Sequence, residues 1–280
     1  MRILILLSLI LSFSCSASLV LTSEQTSKIK EDLLSFEGVK REIYIGKLGV
    51  PTLGVGQTLG HRVENKVSLW SLKDINSFFS SARIHKMSTA SYKELKRIVN
   101  KTNATLKKGE KAPYGLTLSK HKYRLSKRDV NRLLDKSIKE HITKINRDAK
   151  NRGVDLANTP TAVIEALFDL HYRGGKGLVL GKQTPKINEA LKNRNYLGFL
   201  KELFADSNSN AVWQNDARNA YFSSSVLAIL SNKDRKAFLS FKNTSKKARR
   251  VNSRITKMLK EHPGSVTQDV YASVHKLVIS

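Results

Sequence analysis

Cysteine is almost absent from this 280-residue chain: Cys15 is the only one. No intramolecular disulfide can form and no cysteine-based zinc site can be built. Stability must therefore come from a packed core, which a chain of this length can bury. Long apolar runs are missing too. The one run, from Ile3 to Phe13, falls short of the roughly 20 apolar residues that a membrane-crossing helix needs. Acidic residues are scarce, 23 against 50 Lys and Arg. The histidines at 61, 85, 121, 141, 171, 262 and 275 show no metal-ligand spacing, and no phosphate-cradling Gly loop with Lys and Ser/Thr occurs, nor a Gly-x-Ser-x-Gly elbow. These absences argue against metal-dependent hydrolysis, nucleotide binding and serine-esterase chemistry. No cofactor and no metal are expected.

What is present begins with an N-terminal stretch of export character. Arg2 is its only charge, the apolar run follows, and Ser14-Cys15-Ser16-Ala17-Ser18 supplies small residues for cleavage. The expectation is a signal peptide over 1–17, with a retained N-terminal anchor as the alternative, and hence a periplasmic or secreted protein. The formal charge of +27 is spread along the chain. A surface this basic gathers near polyanions: nucleic acid, an anionic membrane or an acidic wall polymer. Export favours the bacterial envelope, and no aromatic-basic array points to specific nucleic-acid binding.

Helical patterns dominate. Thr22 and Gln25 have capping-box spacing, and Ile29, Leu33 and Phe36 recur at helical intervals, which predicts a helix over 24–37 stopped by Gly38. From Ile43 to Gln57, glycines interleave with Tyr44, Val50, Leu53 and Val55, the texture of short strands and tight turns. Residues 60–120 are polar, basic and poorly periodic, with helices expected near 74–82 and 92–100 and an exposed loop over 103–113. Ser126 and Asp129 open another helix, whose stripe is Leu134, Ile138 and Ile145 with His141 at its edge. Thr159-Pro160 starts a helix whose face carries Val163, Leu167 and Leu170, ending at Gly174-Gly175. Shorter helices are expected over 186–192, 197–204 and 248–259. The fold class is α+β and mainly α, with the only sheet near the N-terminus.

The chemistry concentrates in Phe36-Glu37-Gly38, Tyr44-Ile45-Gly46 and Pro51-Thr52-Leu53-Gly54-Val55-Gly56. A carboxyl at the end of a helix beside a hairpin occupies a cleft, where partial burial favours the protonated acid that can donate to a leaving oxygen. A negative charge at a helix C-terminus is also electrostatically unfavourable, so Glu37 asks for a reason to be there. Thr52 could hold an attacking water by its hydroxyl. Trp70 and Trp213 could stack on sugar rings, although either residue type is more often core.

These residues resemble the phage-type lysozyme family, glycoside hydrolase family 24. Its pattern is a Glu, an Asp nine positions on, a Thr six after that, and an alternating Gly-x-Gly. Glu37, Thr52 and Gly54-Val55-Gly56 match in type and spacing, and Tyr44 matches the aromatic two before the Asp position. Further likenesses follow in order: Leu125 to Val130 with Leu133-Leu134, then Ala166-Leu167-Phe168 through Tyr172-Arg173-Gly174-Gly175, then Lys247-Ala248-Arg249-Arg250-Val251. The resemblance implies a lysozyme-like domain over 18–280, with 60–124 as an inserted or extended lobe. It also implies cleavage of the MurNAc-GlcNAc linkage of peptidoglycan, Glu37 as general acid with Thr52, and Gly46, Tyr44, Gln57, Tyr172 and Arg173 along the substrate. It further implies that one of Lys247, Arg249 and Arg250 pairs with Glu37. The partners expected are peptidoglycan and anionic envelope polymers, with an immunity or inhibitor protein left open, for a monomeric protein.

Two departures stand out. Gly46 occupies the place of the family's second carboxylate, and Arg173 that of a cleft-lining Asn or Gln. Glu42 is the nearest acid, but four residues of strand span roughly 13 Å, too far to substitute. Three readings remain open: hydrolysis by Glu37 and Thr52, single-carboxylate lytic-transglycosylase cleavage, and glycan binding without cleavage.

Overall fold

The computed structural model describes residues 18–174, 184–204, 216–261 and 268–279. The export signal expected over 1–17 and Trp213 lie outside these residues. The chain is mainly helical with small antiparallel sheets, the α+β arrangement its pattern predicts. Two compact units emerge, one formed by Met1–Val20, Lys144–Gln214 and Phe222–Val251, the other by Leu21–Thr143, Asn215–Tyr221 and Asn252–Ser280. The sequence reading anticipates one domain with a lobe at 60–124; that stretch falls wholly within the second unit.

In the second unit, α1 (Ser23–Glu37) starts at the anticipated capping box. The Thr22 hydroxyl accepts from the Gln25 backbone N–H while the Gln25 side chain accepts from that of Thr22. Gly38, at a φ of 64° that suits glycine, ends it by donating to the Leu34 carbonyl. Strands β1 (Lys40–Ile45), β2 (Pro51–Gly54) and β3 (Gln57–Thr58) form an antiparallel sheet in that order. On the outer edge of β1 the segment 115–118 adds further ladder bonds: Gly115 N–H to Ile45 O (2.9 Å), Ile45 N–H to Leu116 O (2.8 Å) and Leu118 N–H to Ile43 O (2.7 Å).

Residues 60–124 hold more regular structure than their sequence suggests. A second hairpin, β4 (Gly60–Val63) and β5 (Lys66–Leu69), precedes α2 (Leu72–Ser81) and α3 (Thr89–Lys107). Gly60 is required where the strands meet, since a Cβ there would lie 2.3 Å from the Ser68 carbonyl oxygen. The loop anticipated over 103–113 is half helix. Thr102 and Leu106 are buried, Leu106 together with Val50, Val67 and Val99, and the Asn103 amide both donates to and accepts from the Val67 backbone. Burial on one side outweighs the polar texture of the other. Trp70 packs edge-on against Phe78.

α4 (Lys127–Arg152) opens where Ser126 and Asp129 cap each other. Burial holds the Asp129 carboxyl up, but hydrogen bonds from Ser126 and His85 carry it below the usual carboxylate range. Leu134, Ile138 and Ile145 are buried, with His141 half-buried at the stripe's edge. In the first unit α5 (Thr161–Gly174) begins one residue later than its Thr-Pro signal suggests, the Pro160 carbonyl accepting from Val163 and Ile164. Val163, Leu167 and Leu170 are fully buried, and so is His171, a core histidine. The remaining helices are α6 (Pro185–Lys192), α7 (Tyr196–Phe204), α8 (Asp216–Ile229), α9 (Asn232–Thr244), α10 (Lys246–Glu261) and α11 (Gln268–Ile279).

Candidate active site

Helical spacing places Lys28, Asp32 and Phe36 on one face of α1, and Glu37 closes the helix. Against that face lie Arg218 and Tyr221, one turn apart at the start of α8. The Arg218 guanidinium donates to Glu37 Oε1 at 2.5 Å and lies over the Phe36 ring, 4.7 Å from its centroid. Its side chain is only 3% exposed, whereas that of Glu37 is 30% exposed. A buried guanidinium needs an anion and a polarisable face; Glu37 and Phe36 supply them. The pair also offsets the unfavourable placement of a carboxylate at a helix C-terminus.

One turn back, Asp32 Oδ1 receives the Lys28 ammonium (2.9 Å) and the Tyr221 hydroxyl (2.9 Å), and Lys28 also donates to Tyr221 (2.8 Å). Burial alone would lower the Lys28 ammonium, but its bonds to Tyr221 and Asp32 raise it. Burial pushes the Tyr221 phenol up. Phe36 meets the Tyr221 ring edge-on at 5.4 Å between centroids. A hydrogen-bonded triad thus pins α8 to α1 beside the Arg218–Glu37 pair.

The sheet next to α1 sorts its residues by face. Ile43, Ile45, Leu53 and Leu118 are buried on the core side. On the other, residues directly opposed across the strands form a row: Thr117 opposite Tyr44, Tyr44 opposite Thr52, Thr52 opposite Thr58. Every member carries a hydroxyl. The Tyr44 phenol is raised by burial and then by the nearby Tyr114 and Glu37, so Glu37 lies within electrostatic reach of this row. Thr52 is buried and donates its hydroxyl proton to the Val50 carbonyl at 2.9 Å, the same oxygen that receives the Gly46 N–H. Its oxygen retains lone pairs that can accept from a water. A Cβ built on Gly46 would sit 3.0 Å from Thr52 Oγ1 and 3.3 Å from Val50 O. Thr52 therefore packs against the bare Gly46 backbone, where a longer side chain would crowd it.

The structure thus groups Glu37, Tyr44, Gly46 and Thr52 in one unit. Gln57 falls opposite Leu53, on the other face from Thr52, and its amide donates to the Thr58 carbonyl at 3.1 Å. The residue sharing the Thr52 face is Thr58, because opposed positions in a ladder point the same way. The cation found on Glu37 is Arg218 from α8, in place of one from Lys247, Arg249 or Arg250. Those three are exposed on α10, whose buried stripe is Ala248, Val251, Ile255 and Leu259. Tyr172 and Arg173 belong to the first unit, where Arg173 is engaged by Asp169 at 2.8 Å and Tyr172 lies beside Phe168. Glu42 is ion-paired with Arg124 at 2.9 Å.

Sequence reasoning missed Arg218, Tyr221 and the Lys28–Asp32 pair. The i, i+4 spacing of Lys28 and Asp32 is a detectable signal; nothing local marks Arg218. No protein-family model matches the chain, and no curated protein matches it significantly.

Proposed function

We propose that this chain cleaves the β-1,4-linked MurNAc-GlcNAc glycan of bacterial peptidoglycan, with Glu37 as proton donor and the hydroxyl-bearing face of the sheet as its sugar-binding surface. The observation that carries the reading is the placement of Glu37. It ends α1, stays 30% exposed, is held by a buried Arg218 and acts electrostatically on Tyr44, whose strand partner is Thr52. An oriented carboxyl beside a row of hydroxyls suits the transfer of a proton to a glycosidic oxygen. Glu37 gives its proton to that oxygen, the bond from C1 to the oxygen breaks, and the departing sugar leaves as an alcohol. Water accepted by Thr52 then adds to C1 and returns a proton to Glu37. If the sugar's own C6 hydroxyl adds instead, the same carboxylate takes the hydroxyl proton and a 1,6-anhydro end results. The charge of +27 would concentrate the protein on anionic envelope polymers after export.

A second reading, glycan binding without cleavage, is favoured by Gly46, which packs closely against Thr52 and brings no carboxylate to it. The test is to incubate purified peptidoglycan with the protein and with Glu37→Gln, and to read soluble products by mass spectrometry. Reducing-end fragments from the unaltered protein alone establish hydrolysis. Products lighter by one water establish the transglycosylase route. Co-sedimentation with the wall and no products from either protein leaves the binding reading.

A further inference from the structure

The sugar-binding surface proposed above has an outer end, and residues 113–118 build it. We infer that this segment forms an additional sugar subsite, with Tyr114 as a stacking platform and Thr117 as a hydrogen-bonding partner for a β-1,4-linked N-acetylated glycan. The inference rests on the glycan reading of Glu37 and extends it to residues outside the cleavage machinery.

Tyr114 lies in a tight turn in which the Leu116 N–H returns to the Pro113 carbonyl at 3.3 Å and Gly115 takes a φ of 84°. The turn does not hang loose. Gly115 and Leu116 exchange backbone bonds with Ile45, the last residue of β1, immediately before Gly46. Two residues on, Thr117 stands opposite Tyr44 and extends the hydroxyl row by one position. The row from Thr58 through Thr52 and Tyr44 to Thr117 crosses three inter-strand steps, about 14 Å at roughly 4.8 Å each, the reach of a short oligosaccharide. The Tyr114 residue is 61% exposed and Leu116 is 39% exposed. A large ring left open on well-tied backbone loses little conformational entropy on binding, and its apolar face with a wet hydroxyl tip suits a sugar's C–H face and hydroxyl rim. Tyr114 directly precedes the Gly115 and Leu116 backbone bonds to Ile45, the strand neighbour of Tyr44, which sets the platform at the outer end of the row.

The experiment is calorimetric titration of the full chain with chitooligosaccharides from two to six sugars, on the unaltered protein and on Tyr114→Ala, Tyr114→Phe and Thr117→Ala. Tyr114→Ala should weaken binding of the longest chains roughly five- to tenfold and leave the shortest unchanged. Tyr114→Phe should bind as the parent does, because the ring is what stacks. Thr117→Ala should lose roughly two- to threefold. Circular dichroism confirms that each variant is folded, and Thr117→Ala serves as the test should Tyr114→Ala unfold, an unchanged affinity for the longest chains then overturning the subsite. Equal affinities of Tyr114→Ala and parent at every length would overturn the subsite while leaving the glycan reading intact. A parent that binds none of these chains overturns both.

Discussion

The two carboxylates that α1 turns toward α8 are five residues apart and serve opposite ends. Asp32 is enclosed, its side chain 9% exposed, with one oxygen shared between an ammonium and a phenol. Glu37 meets a single guanidinium and remains 30% exposed. Both are acidic side chains on the same helix facing the same partner helix, yet the first is enclosed between helices and the second is left open. The difference lies in where the packing stops. α1 ends at Gly38, so the last side chain extends past the packed face, and only there can a carboxylate be both held and reachable. The carboxylate proposed as proton donor thus sits at the edge of a well-fixed contact.

Four perturbations break or sharpen that contrast. Glu37→Gln should lower glycan cleavage about 10²- to 10⁴-fold, the share a general acid supplies, and should also cost about 2 kcal/mol of stability, because the amide oxygen can still accept from Arg218 but the buried guanidinium loses its anion. Product assays beside denaturant melts check it; a loss of cleavage no larger than the loss of folded protein would make Glu37 a structural residue like Asp32. Asp32→Asn should do the reverse. It leaves Lys28 and Tyr221 without their anion and should cost about 2–3 kcal/mol in urea unfolding, with residual activity following the folded fraction. A melt unchanged by this substitution would show that the triad does not hold α8.

Gly46→Asp restores a carboxylate where the resemblance leads one to look for it. The built Cβ lies 3.0 Å from Thr52 Oγ1, so about 1–2 kcal/mol of crowding is expected, with cleavage lowered as the Thr52 hydroxyl is displaced. A thermal melt and a rate assay test this, and a faster enzyme would refute the packing argument. The smallest effect belongs to the first unit, where His171 is buried and burial lowers its imidazole below the ordinary value near 6.5, with Lys144 and Arg147 acting the same way against Asp148. The unfolded chain then takes up the proton first, so stability is retained above pH 6.5 or so and falls as the pH drops below it, by at most about 1.4 kcal/mol per pH unit. Melting from pH 7 to 5 should show this slope, and His171→Gln should flatten it.

How legible these features were depends on the range of the interactions behind them. The Thr22–Gln25 box, the Gly38 stop and the Ser126–Asp129 cap join residues three or four apart, so the local pattern contains the whole interaction. The short strands of 43–57 are legible as a texture, but the Tyr44–Thr52 register is not, since the ladder shifts register between Lys40 and Tyr44. That Gln57 lies opposite Leu53 and Thr58 opposite Thr52 is not legible in advance, because a strand of two residues carries no period to read. The helical half of 103–113 was hidden because its buried side is made by residues as distant as Val50 and Val67.

By itself, then, the sequence determined that α1 ends at Glu37, that a small Gly-rich sheet follows, and that the chain is strongly basic. All of these are properties of composition or of neighbours along the chain. Only the tertiary structure decided that Arg218 is the cation on Glu37, 181 positions away in the sequence, that Lys28 and Tyr221 share Asp32, and that Thr117 completes a row with Tyr44. Charged partners in a chain with 50 Lys and Arg are interchangeable on paper. Which one meets a given carboxylate is settled by the packing of helices, since burying a guanidinium is tolerable only where an anion and a ring already wait for it.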